Sequence, residues 1–353
     1  MPNLHKTAAF VKVIPRNAEK MKKLLLRKGI MDKQRNVEHS GSYVLFPVVD
    51  IASERIIKLI KRGGGAITMR KGAVAERQDS YLGLLRKSLD ANELNALVKG
   101  YDRLGNIVLI ELPESLRGKK KTVARAVMSA NKGVETVLEK VGAVRGVYRI
   151  RRLRYVAGKK NFVVNYVENG CRFVFDARKV FFSSRLSFER SRIASLVKDG
   201  ERVIVMFAGV GPFVVEIAKR HAKSKVIGIE LNRTAYMYMK QNIRLNKLGN
   251  AVAVFGDVKD VYKRYRDYAD RIIMPLPMQS ARFLKEAIAM AKDSAIIHMY
   301  TFCRIGNEKE VFADVAAEAM RHGADTSLLN TRVARPYSAM EEEAVLEFRV
   351  DRV

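Results

Sequence analysis

The chain has 353 residues, with 66 Lys and Arg against 37 Asp and Glu, a formal net charge of +29. That length predicts two or three domains, and 48% hydrophobic with 29% charged residues supplies real cores and excludes a disordered chain. No apolar run reaches transmembrane length, and the opening residues lack the apolar centre of a secretory leader. The two cysteines, Cys171 and Cys303, fit neither a disulfide framework nor a metal-ligand spacing, so a reducing cytoplasm and no metal are expected. Ion-pair networks of heat-stable proteins would bring matching Glu, which is missing here. The surplus charge points to a polyanion, and to nucleic acid ahead of membrane, because no basic amphipathic anchor is evident.

Residues 1–62 read as a small α/β unit. KTAAFVKVIP and GSYVLFPV have strand character, while RNAEKMKKLLLRKG, closed by Gly29, and ASERIIKLIKR have helical character. Residues 63–79, with three consecutive glycines, a basic run and no steady period, read as a flexible linker. A mixed region follows over 80–176. SYLGLLRKSLDANELNALVKG reads as helix, NIVLIEL as strand and KKKTVARAVMSANKGVETVLEKVG as a basic helix. GVYRIRRLRYVAG and NFVVNYVENGCRFVFD read as strands, the second turning at Asn169-Gly170. This region carries the densest positive charge: Lys119, Lys120 and Lys121, then Arg145, Arg149, Arg151, Arg152 and Arg154. Alternation along a strand sets Arg149 and Arg151 on one face and Arg152 and Arg154 on the other, so one set looks toward a partner or a site.

Residues 177–353 alternate strand and helix. RVIVMFAG leads into a helix from Pro212, KVIGIEL into NRTAYMYMKQNIRLNKLG, and AVAVFGD, ADRIIMPLP and AIIHMYTF each into another helix. Repeated βα units predict a doubly wound, Rossmann-like α/β sheet with its ligand at the carboxyl ends of the strands. In Phe207-Ala208-Gly209-Val210-Gly211-Pro212, the glycines let backbone approach a ligand and Pro212 suits a first helical turn. Glu230, beside Leu231 and about 20 residues on, is placed for ribose hydroxyls. Asp257, beside Val258, is placed for an adenine edge. The third glycine of a dinucleotide fingerprint is absent, so S-adenosylmethionine, which has no phosphates, fits these loops better than NAD.

MFAGVGPF, together with KVFFSSRLSFERSRI (179–193), RIRRL (149–153), YDRLGNIVLIELP (101–113) and QNIRLNKL (241–248), resembles the archaeal and eukaryotic tRNA (guanine-37-N1)-methyltransferases over essentially the whole chain. The resemblance implies a methyl transfer from S-adenosylmethionine to guanine 37 beside the tRNA anticodon. It also implies a Rossmann-like catalytic domain (177–353), a basic middle domain (80–176) and a small N-terminal domain (1–62) that feels the tRNA elbow, in an enzyme acting as a monomer. The N1 of neutral guanine carries a hydrogen, so the reaction needs a base at N1, a cation at O6 and an unstacked target. The family's base aligns with Glu189 and its O6 cation with Arg149. Phe181, Arg185 and Phe207 match positions lining the cofactor pocket, and Arg151, Arg152 and Arg154 stand as phosphate contacts.

Two departures from the family pattern matter. Pro275-Leu276-Pro277 stands where relatives commonly have Asn-Leu-Pro, so no side-chain amide meets the base there and backbone carbonyls are left to position it. Val205 stands where an acid often precedes MFAG, so the methionine amino group must be bound in another way. Enzymes of the wyosine pathway, acting on a modified guanine by methyl or aminocarboxypropyl transfer, are the sibling alternative, and a catalytically weak tRNA-binding protein the next. His298, on the fifth strand, reads as a core or loop-facing residue.

Overall fold

Apolar residues in HKTAAFVKV make β1 (His5–Val13) an inner strand, with Phe10, Val11 and Val13 buried. It is followed by α1 (Pro15–Arg27), β2 (Glu38–Ser40), β3 (Tyr43–Val48), α2 (Glu54–Arg62) and β4 (Ala66–Ala73). These strands form an antiparallel sheet in the order β2-β3-β1-β4. Met21 and Leu25 of α1 and Ile60 of α2 pack on it. The computed structural model describes residues 5–32, 37–49, 54–73, 81–86, 88–97, 100–338 and 340–353. They fall in two compact units, Met1–Gly83 and Leu84–Val353.

The glycine-rich stretch read as a linker is corrected over 66–73. It pairs with β1 from Ala66–Lys12 to Ala73–His5, because a backbone ladder needs no apolar period and β1 offers a free edge. The glycines end α2: Gly63 and Gly65 donate to Leu59 and Ile60, and a Cβ on Gly65 would stand 2.8 Å from Met21. Residues 74–80 of that reading lie outside the described residues.

Two short helices come next rather than one, α3 (Tyr81–Leu85), which carries the boundary at 83/84, and α4 (Ala91–Ala96). Asp90 starts α4 afresh by accepting from the Glu93 N–H at 2.9 Å while Glu93 accepts from the Asp90 N–H at 3.0 Å. A four-stranded sheet follows, built from β5 (Asp102–Leu104), β6 (Ile107–Ile110), β7 (Thr136–Arg145) and β8 (Ile150–Gly158) in sequential order, with α5 (Lys120–Ser129) between β6 and β7. The long basic helix expected here stops at Ser129. Ala130 caps it, the chain turns through Gly133 at φ 80°, and Thr136, Val137 and Leu138 enter the sheet fully buried.

The hairpin of β9 (Val163–Glu168) and β10 (Cys171–Asp176) turns at Asn169-Gly170, both with positive φ, as expected. A boundary at 176/177 would cut it from the core it packs in. Val164, Phe173 and Phe175 share a buried cluster with Val203, Val214 and Ile217, and each such side chain contributes about 1.5–3 kcal/mol of burial.

The remaining elements are α6 (Ser187–Leu196), β11 (Arg202–Val205), α7 (Pro212–Arg220), β12 (Lys225–Glu230), α8 (Arg233–Leu245), β13 (Ala251–Phe255), α9 (Val258–Val261), β14 (Ala269–Met274), α10 (Leu284–Met290), β15 (Ala291–Arg304), α11 (Glu308–Arg321), β16 (Ala324–Pro336) and β17 (Glu341–Arg352). They build a seven-stranded, Rossmann-like sheet in the order β13-β12-β11-β14-β15-β17-β16. The first five are parallel, and β17 inserts antiparallel between β15 and β16. Among the described residues no helix is long and apolar enough to cross a membrane, and no cluster of His, Cys, Asp and Glu could hold a metal.

Candidate active site

The carboxyl ends of β11 to β14 enclose a cavity of about 200 Å³. Its floor is the loop after β11, where Phe207 (φ 53°), Gly209 (φ 58°) and Gly211 (φ 84°) all take left-handed backbone. A Cβ on Gly211 would stand 2.7 Å from Met239, so only glycine turns the chain into α7 there. Glu230, at the end of β12, ties two loops together. It accepts from the Gly209 N–H at 2.7 Å and from the Asn232 N–H at 2.6 Å, and burial raises its pKa above the usual carboxylate range. Asp257 caps α9 by accepting from the Lys259 N–H at 2.9 Å.

Of the residues assigned to the cofactor, Phe181, Phe207, Gly209, Glu230, Leu231, Asp257 and Val258 line this cavity. Ala208, Val210, Gly211 and Pro212 do not line it: Ala208 and Val210 are turned into the core, and Gly211 and Pro212 start α7. Pro275, Leu276 and Pro277 line it too. The Leu276 carbonyl is not free for a base, however. It already accepts from the Gln279 and Ser280 N–H groups at 2.9 Å and from the Ser280 hydroxyl at 3.0 Å.

A second, larger cavity of about 630 Å³ adjoins the first, between the β5–β8 sheet and the segment from Ala177 to Arg185. Arg185 lines this one and not the cofactor cavity, because its guanidinium is taken by Asp102 at 2.9 Å. Burial would raise the Asp102 pKa, but hydrogen bonds and charge from Lys140 and Arg185 hold it below the usual range. The two cavities share a wall of Val147, Arg149, Phe181, Leu276, Gln279 and Arg335.

Arg149 stands on that wall and not in a strand. It closes the turn that begins at Gly146, at φ 51°, so the alternation expected for it does not apply and β8 starts one residue later. Its guanidinium lies 5.6 Å from the centre of the Phe181 ring. Burial draws its pKa below the ordinary value, Glu343 and Tyr337 push it back up, and Arg335 lowers it again.

Glu189 reaches neither cavity wall. Its side chain, 3% exposed, is gripped by Arg192 through Nε at 3.0 Å and by Arg332 at 3.3 Å. Arg192 is anchored in turn on Glu347. His298 is a buried core residue: Arg271 donates to its Nε2 at 2.6 Å, and burial lowers its pKa.

Among the residues assigned to RNA, Arg151 lines the larger cavity, Arg152 is exposed, and Arg154 lies 3.8 Å from Glu139. Lys120 and Lys121 start α5, while Lys119 is paired with Glu93 at 2.7 Å. The side chain of Arg145 lies outside the described residues. Arg335, Tyr337 and Glu343 were missed in the sequence. They are brought to the site by β16, β17 and their connection, and no local motif marks them.

The chain's methyltransferase domain model match, "TRM5/TYW2 methyltransferase domain", spans 164–330, beginning within the β9–β10 hairpin. Residues 11–57 match the tRNA methyltransferase 5 N-terminal domain, and 82–161 the TYW2 N-terminal domain. The tRNA (guanine(37)-N(1))-methyltransferase Trm5b of Pyrococcus abyssi is 33% identical over 341 residues, which cover 96% of this chain and 98% of the relative. Its crystal structure superposes with a TM-score of 0.71, at 32% identity over 98% of this chain and 99% of that one. A tRNA(Phe) (4-demethylwyosine(37)-C(7)) aminocarboxypropyltransferase of Pyrococcus horikoshii is 32% identical over 76% of this chain and 95% of its own length. The crystal structure of P. horikoshii TYW2 in complex with MeSAdo covers 78% of this chain and all of its own, at 29% identity and a TM-score of 0.66. This chain belongs to the TRM5/TYW2 methyltransferase family.

Proposed function

We propose that the chain transfers a methyl group from S-adenosylmethionine to N1 of guanine 37 in tRNA. The observation that carries this reading is the shared wall. A cavity fitted for a nucleoside opens onto a larger, arginine-rich one, and Arg149 faces both. The residues present fit the cofactor: a Cβ on Gly209 would meet only the Phe181 carbonyl, at 3.9 Å, Glu230 offers a carboxylate to ribose hydroxyls, and Asp257 faces the adenine end. When bound, S-adenosylmethionine supplies an electrophilic methyl on a sulfonium.

The chain's own residues do the rest. Phe181 and Leu276 on the shared wall flank an unstacked purine and exclude water. Arg149 takes the charge that gathers on O6 as the N1 proton leaves. Glu189 accepts that proton, which requires its clamp with Arg192 and Arg332 to open when the base enters. Arg151, Arg152 and Arg154 hold phosphates, and the first unit reads the tRNA elbow.

The test is incubation with unmodified tRNA and labelled S-adenosylmethionine, followed by nucleoside mass analysis. One added methyl on guanosine 37 is the expected product, and its absence overturns the reading. The match of 82–161 to the TYW2 N-terminal domain favours one second reading, the wyosine-pathway sibling. An added aminocarboxypropyl group, or methylation of only a tricyclic guanine, would establish it.

A further inference from the structure

With Pro275 in place of an amide side chain and the Leu276 carbonyl engaged in its own turn, the loop after β14 brings the neutral amide of Gln279 to the shared wall and no charged group. A carboxylate on another element stands nearby. Glu343, on β17, lines the cofactor cavity with its side chain 2% exposed, and its Oε2 accepts from Arg335 Nε at 2.6 Å. Arg335 lies on the wall common to both cavities, and Glu343 and Arg335 both act electrostatically on Arg149. One carboxylate of the cofactor cavity is therefore bonded to one guanidinium of the shared wall and acts electrostatically on a second.

The edge of guanine that enters this junction presents an acceptor at O6, the reacting N1, and a two-hydrogen donor at the 2-amino group. O6 and the 2-amino group flank N1 on opposite sides. A cation for O6 and an anion for the 2-amino group would complement that edge, whereas adenine presents a donor in place of O6 and a bare carbon in place of the 2-amino group. Glu230 and Asp257, the other carboxylates of this cavity, are already given to the cofactor's ribose and adenine ends in the reading above. We propose that Glu343 determines specificity by accepting a hydrogen bond from the guanine 2-amino group while Arg149 holds O6, and that Arg335 positions the Glu343 carboxylate. The inference rests on the guanine-N1 reading above.

The test uses the full chain and two tRNA transcripts that differ only at position 37, one with guanosine and one with inosine, which lacks the 2-amino group. The unaltered chain is expected to favour guanosine at least tenfold in kcat/KM, because a buried acceptor is left unpaired by inosine. Glu343→Ala should bring that ratio to within about twofold of one while S-adenosylmethionine affinity, measured by calorimetry, stays within about twofold. Glu343→Gln, which keeps an acceptor for Arg335, guards against a folding defect and should narrow the ratio as well. Arg335→Ala should narrow it less than Glu343→Ala. An unchanged ratio in both Glu343 variants overturns the assignment. So does a fall in S-adenosylmethionine affinity with the ratio intact, which would give the carboxylate to the cofactor's ammonium group. If the unaltered chain leaves the guanosine transcript unmethylated, the parent reading fails before any variant is compared, and this one falls with it.

Discussion

Arg190 and Glu168 form a closed fork that joins α6 to the end of β9. Arg190 Nε and Nη2 donate to the two carboxylate oxygens at 2.6 and 2.7 Å, and both side chains are 2% exposed. The same guanidinium reaches the Ser183 carbonyl at 3.1 Å, so it also fixes the segment that carries Arg185. Removing one partner leaves a buried, uncompensated charge. Arg190→Ala is expected to cost about 3–5 kcal/mol in denaturant unfolding. Replacing both residues by apolar groups of similar volume should recover most of that loss, and a double variant as unstable as the single would contradict this account.

Glu189→Gln should slow single-turnover methyl transfer by about 10²–10⁴-fold at saturating tRNA and cofactor, with both affinities nearly unchanged. Its burial beneath Arg192 and Arg332 makes this an exacting experiment. A variant that turns over at the original rate removes Glu189 from the reaction. Arg149→Ala should also slow the chemical step, by about 10²–10³-fold. A change confined to tRNA affinity would reassign that guanidinium to a phosphate.

Glu230→Ala is expected to weaken S-adenosylmethionine binding by about 10–100-fold, since hydrogen bonds to a charged group contribute roughly 1.5–3 kcal/mol. Part of the effect comes through the protein, because the Gly209 and Asn232 N–H groups lose their acceptor. Calorimetric titration with the cofactor, beside a filter assay with tRNA, separates the two: tRNA affinity should stay as it was.

Acid should unsettle the second unit through Glu347. Burial works to raise its pKa, but His298 and Arg192 outweigh it and bring the carboxyl from 4.5 down to about 2. A depressed folded-state value means stability that is present in full above the unfolded value of 4.5 and is lost as pH falls toward about 2. Unfolding followed across that window should show a slope that Glu347→Gln flattens. An identical slope in the variant would rule Glu347 out as its source.

Much of this arrangement could be read along the chain, and the part that could not has a physical cause. MFAGVGPF, Glu230 and Asp257 each sit at a strand end, where the glycine turn and the acid's spacing are local features. The turn at Asn169-Gly170 is likewise spelled by two residues that tolerate positive φ. The stretch 66–73 has no such signature, since its pairing with β1 is a matter of backbone hydrogen bonds and a vacant edge. The sequence EEEAVLEFRV hides its role for a related reason. Successive glutamates read as a solvated strand end, and only the antiparallel pairing of β17 with β16, whose register shifts between Val333 and Arg335, sets Glu343 opposite Arg335. Arg149 was assigned by likeness, but its turn geometry depends on the register between β7 and β8, which slips between Val141 and Arg145.

Phe207 and Arg149, both cavity residues, hold a backbone twist that ordinary side chains avoid, at a cost of about 1–3 kcal/mol each. Glycine at position 149 would relax the chain while stripping away a cation, whereas at 207 it would also remove a ring that packs on Phe283. Selection for thermal endurance alone would therefore drift toward a sturdier but idle protein. Breeding a robust form of this enzyme calls for a screen that counts modified tRNA as well as surviving structure.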